Sequence, residues 1–152
     1  MLTMNSEMSK SYKNLSLTNI ELDHSLEEIV ESGFKGLDGC LFLGKCLETD
    51  TNASISDFPD KTGYECFINS VNIDDYVDEG YLEQAVCFVR SVFSQWNEVQ
   101  ESKKLVAILS MDEFGVKVKF HVCRVGEEWL SDELEGYEES ILVVDSSDSQ
   151  FY

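Results

Sequence analysis

The sequence predicts a single α+β domain, a mostly antiparallel sheet with helices packed on one face. Three observations predict it. Residues Lys104–Val125 carry two alternating apolar runs around a short turn, the pattern of a β-hairpin. Residues Asp78–Gln100 repeat apolar side chains at three- and four-residue spacing, the pattern of one helix face. The chain has 152 residues, 43% of them apolar, which suffices for one core and leaves little room for a second.

Taken in order, residues 1–14 are polar and aperiodic and read as a flexible N-terminal arm, with the domain itself spanning 15–145 and a C-terminal tail at 146–152. Leu15, Leu17, Ile20 and Leu22 suggest a short extended stretch. Ser25 and Glu28 have capping-box spacing and open a helix whose stripe is Leu26, Ile29, Val30 and Phe34, with Gly33 or Gly36 to end it. Cys40–Leu43 reads as a strand, and Glu48–Thr62, with the chain's one proline, as a surface loop. Tyr64–Ile73 alternates like a strand, with Phe67 and Val71 on one face.

In the long helix the stripe is Tyr81, Leu82, Ala85, Val86, Val89, Val92, Phe93, Trp96 and Val99, and Asp78 is the expected N-cap. Burial of Phe93 or Trp96 is worth about 2–3 kcal/mol each. In the hairpin, Val116, Val118, Phe120 and Val122 point one way, and Lys117, Lys119 and His121 the other. Gly115 is the residue expected to supply a positive φ in the turn. The apolar run Ile141–Val144 offers one further strand.

Charge bounds the function. Thirty Asp and Glu against eleven Lys and Arg give a net charge of −19. Such a chain repels nucleic acid and anionic membranes and favours cationic partners, a basic protein or metal ions; solubility alone is the plainer reading. No apolar run reaches the ~20 residues of a membrane span, and the first twenty residues contain no signal-peptide core. The five cysteines are odd in number, without metal-ligand rhythm, and read as reduced; Cys66, Cys87 and Cys123 sit among apolar neighbours and are expected to be largely buried in a cytoplasmic protein.

The acids cluster. No Lys or Arg follows Arg124, while Glu127, Glu128, Asp132, Glu133, Glu135 and Glu138 surround Trp129 and Tyr137. A second group is Asp74, Asp75, Asp78 and Glu79. Lys103, Lys104, Lys117, Lys119 and Arg124 make the hairpin locally basic. Aromatic side chains among charges have the composition of a binding hot spot, so these two acidic groups are the candidate partner-binding residues. Trp129 and Tyr137 serve equally as core residues beneath a solvated rim. No catalytic residue, metal site or cofactor is assigned: there is no GxSxG, HExxH or EF-hand loop, GFKGLDG at 33–39 lacks a phosphate-loop ending, and His24 and His121 are far apart in sequence.

The hairpin VAILSMDEFGVKVKFHVCR and the W-x-x-D-x-x-x-G-Y pattern at Trp129, Asp132, Gly136 and Tyr137 resemble the C-terminal part of bacterial immunity proteins from contact-dependent growth inhibition and related polymorphic toxin systems. The resemblance covers 105–137 and implies a cytoplasmic, non-enzymatic protein that binds and neutralises a cognate toxin domain, often a nuclease with a basic cleft. The alternative is an acidic adaptor or nucleic-acid mimic that binds an unrelated basic protein.

Overall fold

The computed structural model describes residues 1–49, 52–100 and 102–151. Among the described residues the α-helices and strands follow one another as β1 (Leu2–Met4), α1 (Ser6–Lys13), α2 (His24–Glu31), β2 (Phe34–Leu37), β3 (Cys40–Leu43), α3 (Gly44–Thr49), α4 (Lys61–Ile68), β4 (Ser70–Asn72), α5 (Tyr81–Val99), β5 (Leu105–Met111), β6 (Val116–Val122) and β7 (Ser140–Asp145). Five strands form an antiparallel sheet in the order β1-β7-β5-β6-β4, and β2 pairs with β3 in a separate hairpin. The fold is α+β, as the hydrophobic patterning predicts.

Period-two alternation sorts the sheet residues onto two faces. Leu105, Ala107, Leu109, Val116, Val118, Phe120, Val122, Leu142 and Val144 enter the main core under α5. There Phe88 and Phe93 meet Phe120 edge-on, with ring centroids 5.8 and 6.4 Å apart. Trp96 is fully buried, meets Phe34 edge-on at 5.1 Å, and donates its indole N–H to the Lys103 carbonyl at 2.8 Å. Val106, Ile108 and Val143 point to the opposite face, where they meet Cys66 and Leu130.

Several local expectations are overturned. The Tyr64–Ile73 strand is instead α4 followed by the three-residue β4; Asp60 caps α4 by accepting from the Gly63 N–H at 2.7 Å. Thr62 through Cys66 are all buried, because α4 is wedged between β3 and β6, and burial on several sides erases the one-stripe pattern that marks a helix. Residues 1–14 form a strand and a helix rather than a flexible arm. Three residues are too few to show alternation, and their order comes from pairing of Thr3 with Val143 and from the buried Asn5 and Met8.

Residues 15–23 loop without a strand, although Leu15, Leu17 and Leu22 pack on the core. The cap of α2 is Asp23, which accepts from the Ser25 N–H at 3.0 Å and leaves Ser25 inside the helix. At α5 the cap position is Gly80, at φ 64, in place of Asp78. The loop expected at 48–62 holds the end of α3, a 3₁₀ turn at Ile55–Asp57 and the start of α4; residues 50 and 51 lie outside the described residues. The tail at 146–152 is anchored by the fully buried Phe151, which packs on Phe93; residue 152 lies outside the described residues.

Gly115 does not adopt a positive φ. The turn is shaped by Asp112, whose Oδ1 accepts from the N–H groups of Phe114 and Gly115 at 2.8 and 3.2 Å. Glycine is required at 115 because an added Cβ would run into the Asp74 side chain, 2.8 Å from its Cβ. All five cysteines are free. Burial pushes the Cys46 and Cys66 thiols up to about 12, but Cys123, just past β6, is exposed, contrary to its apolar surroundings in sequence.

Candidate functional site

The segment after β6 folds back across the second face of the sheet. Arg124 is fastened to Glu65 of α4, and Glu127 accepts from the Thr62 N–H at 3.1 Å. That hydrogen bond, with Arg124 nearby, holds the Glu127 carboxyl below the usual carboxylate range. Further along, Trp129 lies over the Lys119 ammonium, 4.7 Å from the ring centroid, and stays 40% exposed. Leu130 rests on the apolar patch of Val106, Ile108 and Val143. Between this segment and the sheet runs a groove of about 240 Å³ with Glu127, Glu128, Trp129 and Asp132 along it.

His121 lies in the groove floor, only 6% exposed, its Nδ1 2.9 Å from the Val122 carbonyl oxygen. Burial lowers its pKa below the ordinary value of 6.5, so the ring is neutral at pH 7. It shares the groove with carboxylates but hydrogen-bonds to none of them among the described residues.

The remaining tail candidates divide between structural and exposed roles. Glu135 accepts from the Ser6 N–H and, at 2.9 Å, from the Ser6 hydroxyl, so it serves the start of α1. The half-buried Tyr137 accepts from the Ser131 N–H at 3.1 Å. Asp132, Glu133 and Glu138 are exposed.

The strand register brings the second acidic group to part of the first. Met111 pairs with both Val116 and Ser140, so the β5–β6 turn lies beside the start of β7. Asp74 packs against Gly115 of the same turn. Two shallow clefts here, of about 260 and 400 Å³, share Met111, Asp112 and Glu139. Around them stand the carboxylates of Glu7, Asp74, Asp112, Glu113, Glu138 and Glu139, with Lys117 as the lining cation. Phe114, 76% exposed, lines the first of these clefts. Asp75, Asp78 and Glu79 are exposed nearby in sequence but do not line the clefts.

Sequence reading missed Glu7, Asp112, Glu113, Phe114 and Glu139 as members of one surface. A phenylalanine at the tip of a tight turn was the available signal, since nothing at such a tip can bury it.

The chain belongs to the Uncharacterized protein PM0498 family, whose model matches residues 3–152. It is similar to Uncharacterized protein PM0498 of Pasteurella multocida (strain Pm70), 32% identical over 135 residues that cover 82% of each chain. No solved structure matches it. Among the described residues no helix is long and apolar enough to cross a membrane.

Proposed function

We propose that this protein is a binding inhibitor that docks its acidic end onto a basic protein domain. In its specific form the reading is a cytoplasmic immunity protein that neutralises a cognate bacterial toxin, a nuclease whose basic cleft it occupies. The observation that carries it is the exposed Phe114, which lines one cleft with Asp74, Asp112 and Glu139, next to a second cleft that adds Glu113 and Glu138. An apolar anchor beside a rim of mostly one charge is how an interface combines affinity with steering. Carboxylates placed around it present to a basic cleft the charge that nucleic-acid phosphates would present.

The test is neutralisation of the toxin domain encoded beside this gene. Purified protein is expected to abolish its nuclease activity at equimolar ratio, with an association rate that falls steeply between low and high salt. Full nuclease activity in the presence of excess protein, or a salt-independent rate, sinks the proposal.

A further inference from the structure

At the opposite end of the sheet from the acidic turn, cations gather instead. Lys61 opens α4, Lys103 precedes β5, and Arg124 follows β6; all three line one open cleft of about 650 Å³, where Asp38 is the lining carboxylate among the described residues. The chain has only eleven Lys and Arg against thirty acids. Even so, among the described residues neither Lys61 nor Lys103 is paired with a carboxylate.

The geometry positions these groups. The β2–β3 turn, Asp38-Gly39, has φ values of 54 and 77, the left-handed pair of a tight hairpin turn. Lys61 lies across Gly39: an added Cβ there would stand 2.8 Å from Lys61 Nζ. The bare backbone therefore seats the ammonium at the mouth of the cleft. Arg124 commits Nη1 and Nη2 to Glu65, and Nη1 also donates to the Val122 carbonyl at 3.4 Å, which fixes the guanidinium plane and leaves its Nε–H and the second Nη2 N–H outside these bonds. Leu37, 44% exposed, and Leu41 add an apolar wall.

We infer that this cleft is an anion site for a phosphorylated small molecule, its phosphate held by Lys61, Lys103 and Arg124 and its organic part against Leu37. The volume falls within the range of small-ligand pockets and exceeds what a lone phosphate fills. Two lysines flanking a fixed guanidinium match a multiply charged phosphate better than a single carboxylate. The net charge of −19 opposes any anion, so a site that binds one must do so through these local contacts.

Isothermal titration of the full chain with inorganic pyrophosphate, beside citrate at equal ionic strength, tests this. One saturable site is expected, tighter for pyrophosphate than for citrate. Lys61→Ala with Lys103→Ala is expected to weaken it at least tenfold, and Glu113→Gln with Glu138→Gln to leave it within twofold. Both lysines are exposed, so the double variant is expected to keep the wild-type melting curve. No binding of pyrophosphate, binding that survives loss of both lysines, or equal affinity for citrate would overturn the assignment.

Discussion

Glu65 and Arg124 form a two-pronged ion pair: Nη1 and Nη2 of Arg124 donate to Oε1 and Oε2 of Glu65 at 2.7 and 2.8 Å. Glu65 is fully buried and also accepts from the N–H groups of Leu41 and Val122 at 2.7 and 2.8 Å. One turn later, at the C-cap of α4, Asn69 accepts from the Leu43 N–H and donates to the carbonyls of Leu41 and Phe120. Two side chains of one helix thus satisfy the free edges of β3 and β6 and join the small hairpin to the main sheet.

Glu65→Gln is expected to lower stability by about 3–5 kcal/mol, because it leaves the Arg124 charge unpaired and turns an amide group toward a donor. A urea midpoint shifted down at unchanged slope is the expected readout. The double change Glu65→Leu with Arg124→Leu removes the unpaired charge but still strips two backbone N–H groups of their acceptor, at about 1–3 kcal/mol each. It is therefore expected to recover only part of the loss, and complete recovery would show that those amides find other partners.

Asn5 does comparable work at the other edge. Its Oδ1 accepts from the N–H groups of Met8 and Ile141 at 3.1 and 3.0 Å, and its Nδ2 donates to the carbonyls of Leu134 and Glu139 at 3.3 and 2.8 Å. One buried side chain caps α1 and pins the segment before β7. Asn5→Ala is expected to cost about 2–4 kcal/mol and to speed amide exchange at Met8 and Ile141 first. Equal exchange at both positions in the two proteins would show that the cap is dispensable.

These pegs explain what the sequence concealed. The α5 stripe and the β5–β6 alternation were legible because each element buries one face against one partner, so that periodicity records burial. α4 was not, since Glu65, buried and satisfied by partners far along the chain, looks in sequence like any of thirty acids. The acidity of the candidate surface was legible as composition. Its location was not, because the sheet register, set by pairing of Met111 with Ser140, is what brings Glu113 beside Glu138.

His121 supplies a pH prediction. Its folded pKa lies below the ordinary 6.5 because burial disfavours the charged ring. Between 6.5 and the folded value the unfolded chain binds a proton that the folded chain does not, so stability falls as pH is lowered through that window and levels off beneath it. His121→Gln removes this titration, and its stability is expected to change less than wild type between pH 6.5 and the folded pKa. Denaturation curves of both proteins across that range, compared as a difference so that the shared carboxylates cancel, decide it. Parallel curves would place the ring in water.

The two tryptophans are expected to part company. Trp96 is fully buried with its indole N–H satisfied, so Trp96→Ala is expected to cost about 3–5 kcal/mol. Trp129 is 40% exposed above Lys119, where a cation–π contact contributes about 0.5–1 kcal/mol. Trp129→Ala is therefore expected to shift the urea midpoint only slightly and to remove the more solvent-quenchable part of the fluorescence. A loss as large as that of Trp96→Ala would make the segment over the groove part of the core.

Phe114 and the acids around it are expected to act on different halves of the binding reaction. Phe114 is 76% exposed, so Phe114→Ser is expected to leave the melting curve unchanged. If it anchors the partner, its loss removes short-range packing, which raises the dissociation rate and costs about 2 kcal/mol or more of affinity. Glu113→Lys with Glu138→Lys changes the long-range field instead, so the association rate is expected to fall and its salt dependence to flatten, with dissociation nearly constant. Asp112 is the wrong residue for this experiment, since its carboxylate holds the turn through Phe114 and Gly115. Stopped-flow mixing with the basic domain proposed as partner, at two salt concentrations, separates the two rates. If both variants bind like wild type, the partner sits elsewhere, and the rim of Glu127, Glu128 and Asp132 beside Trp129 becomes the surface to reverse next.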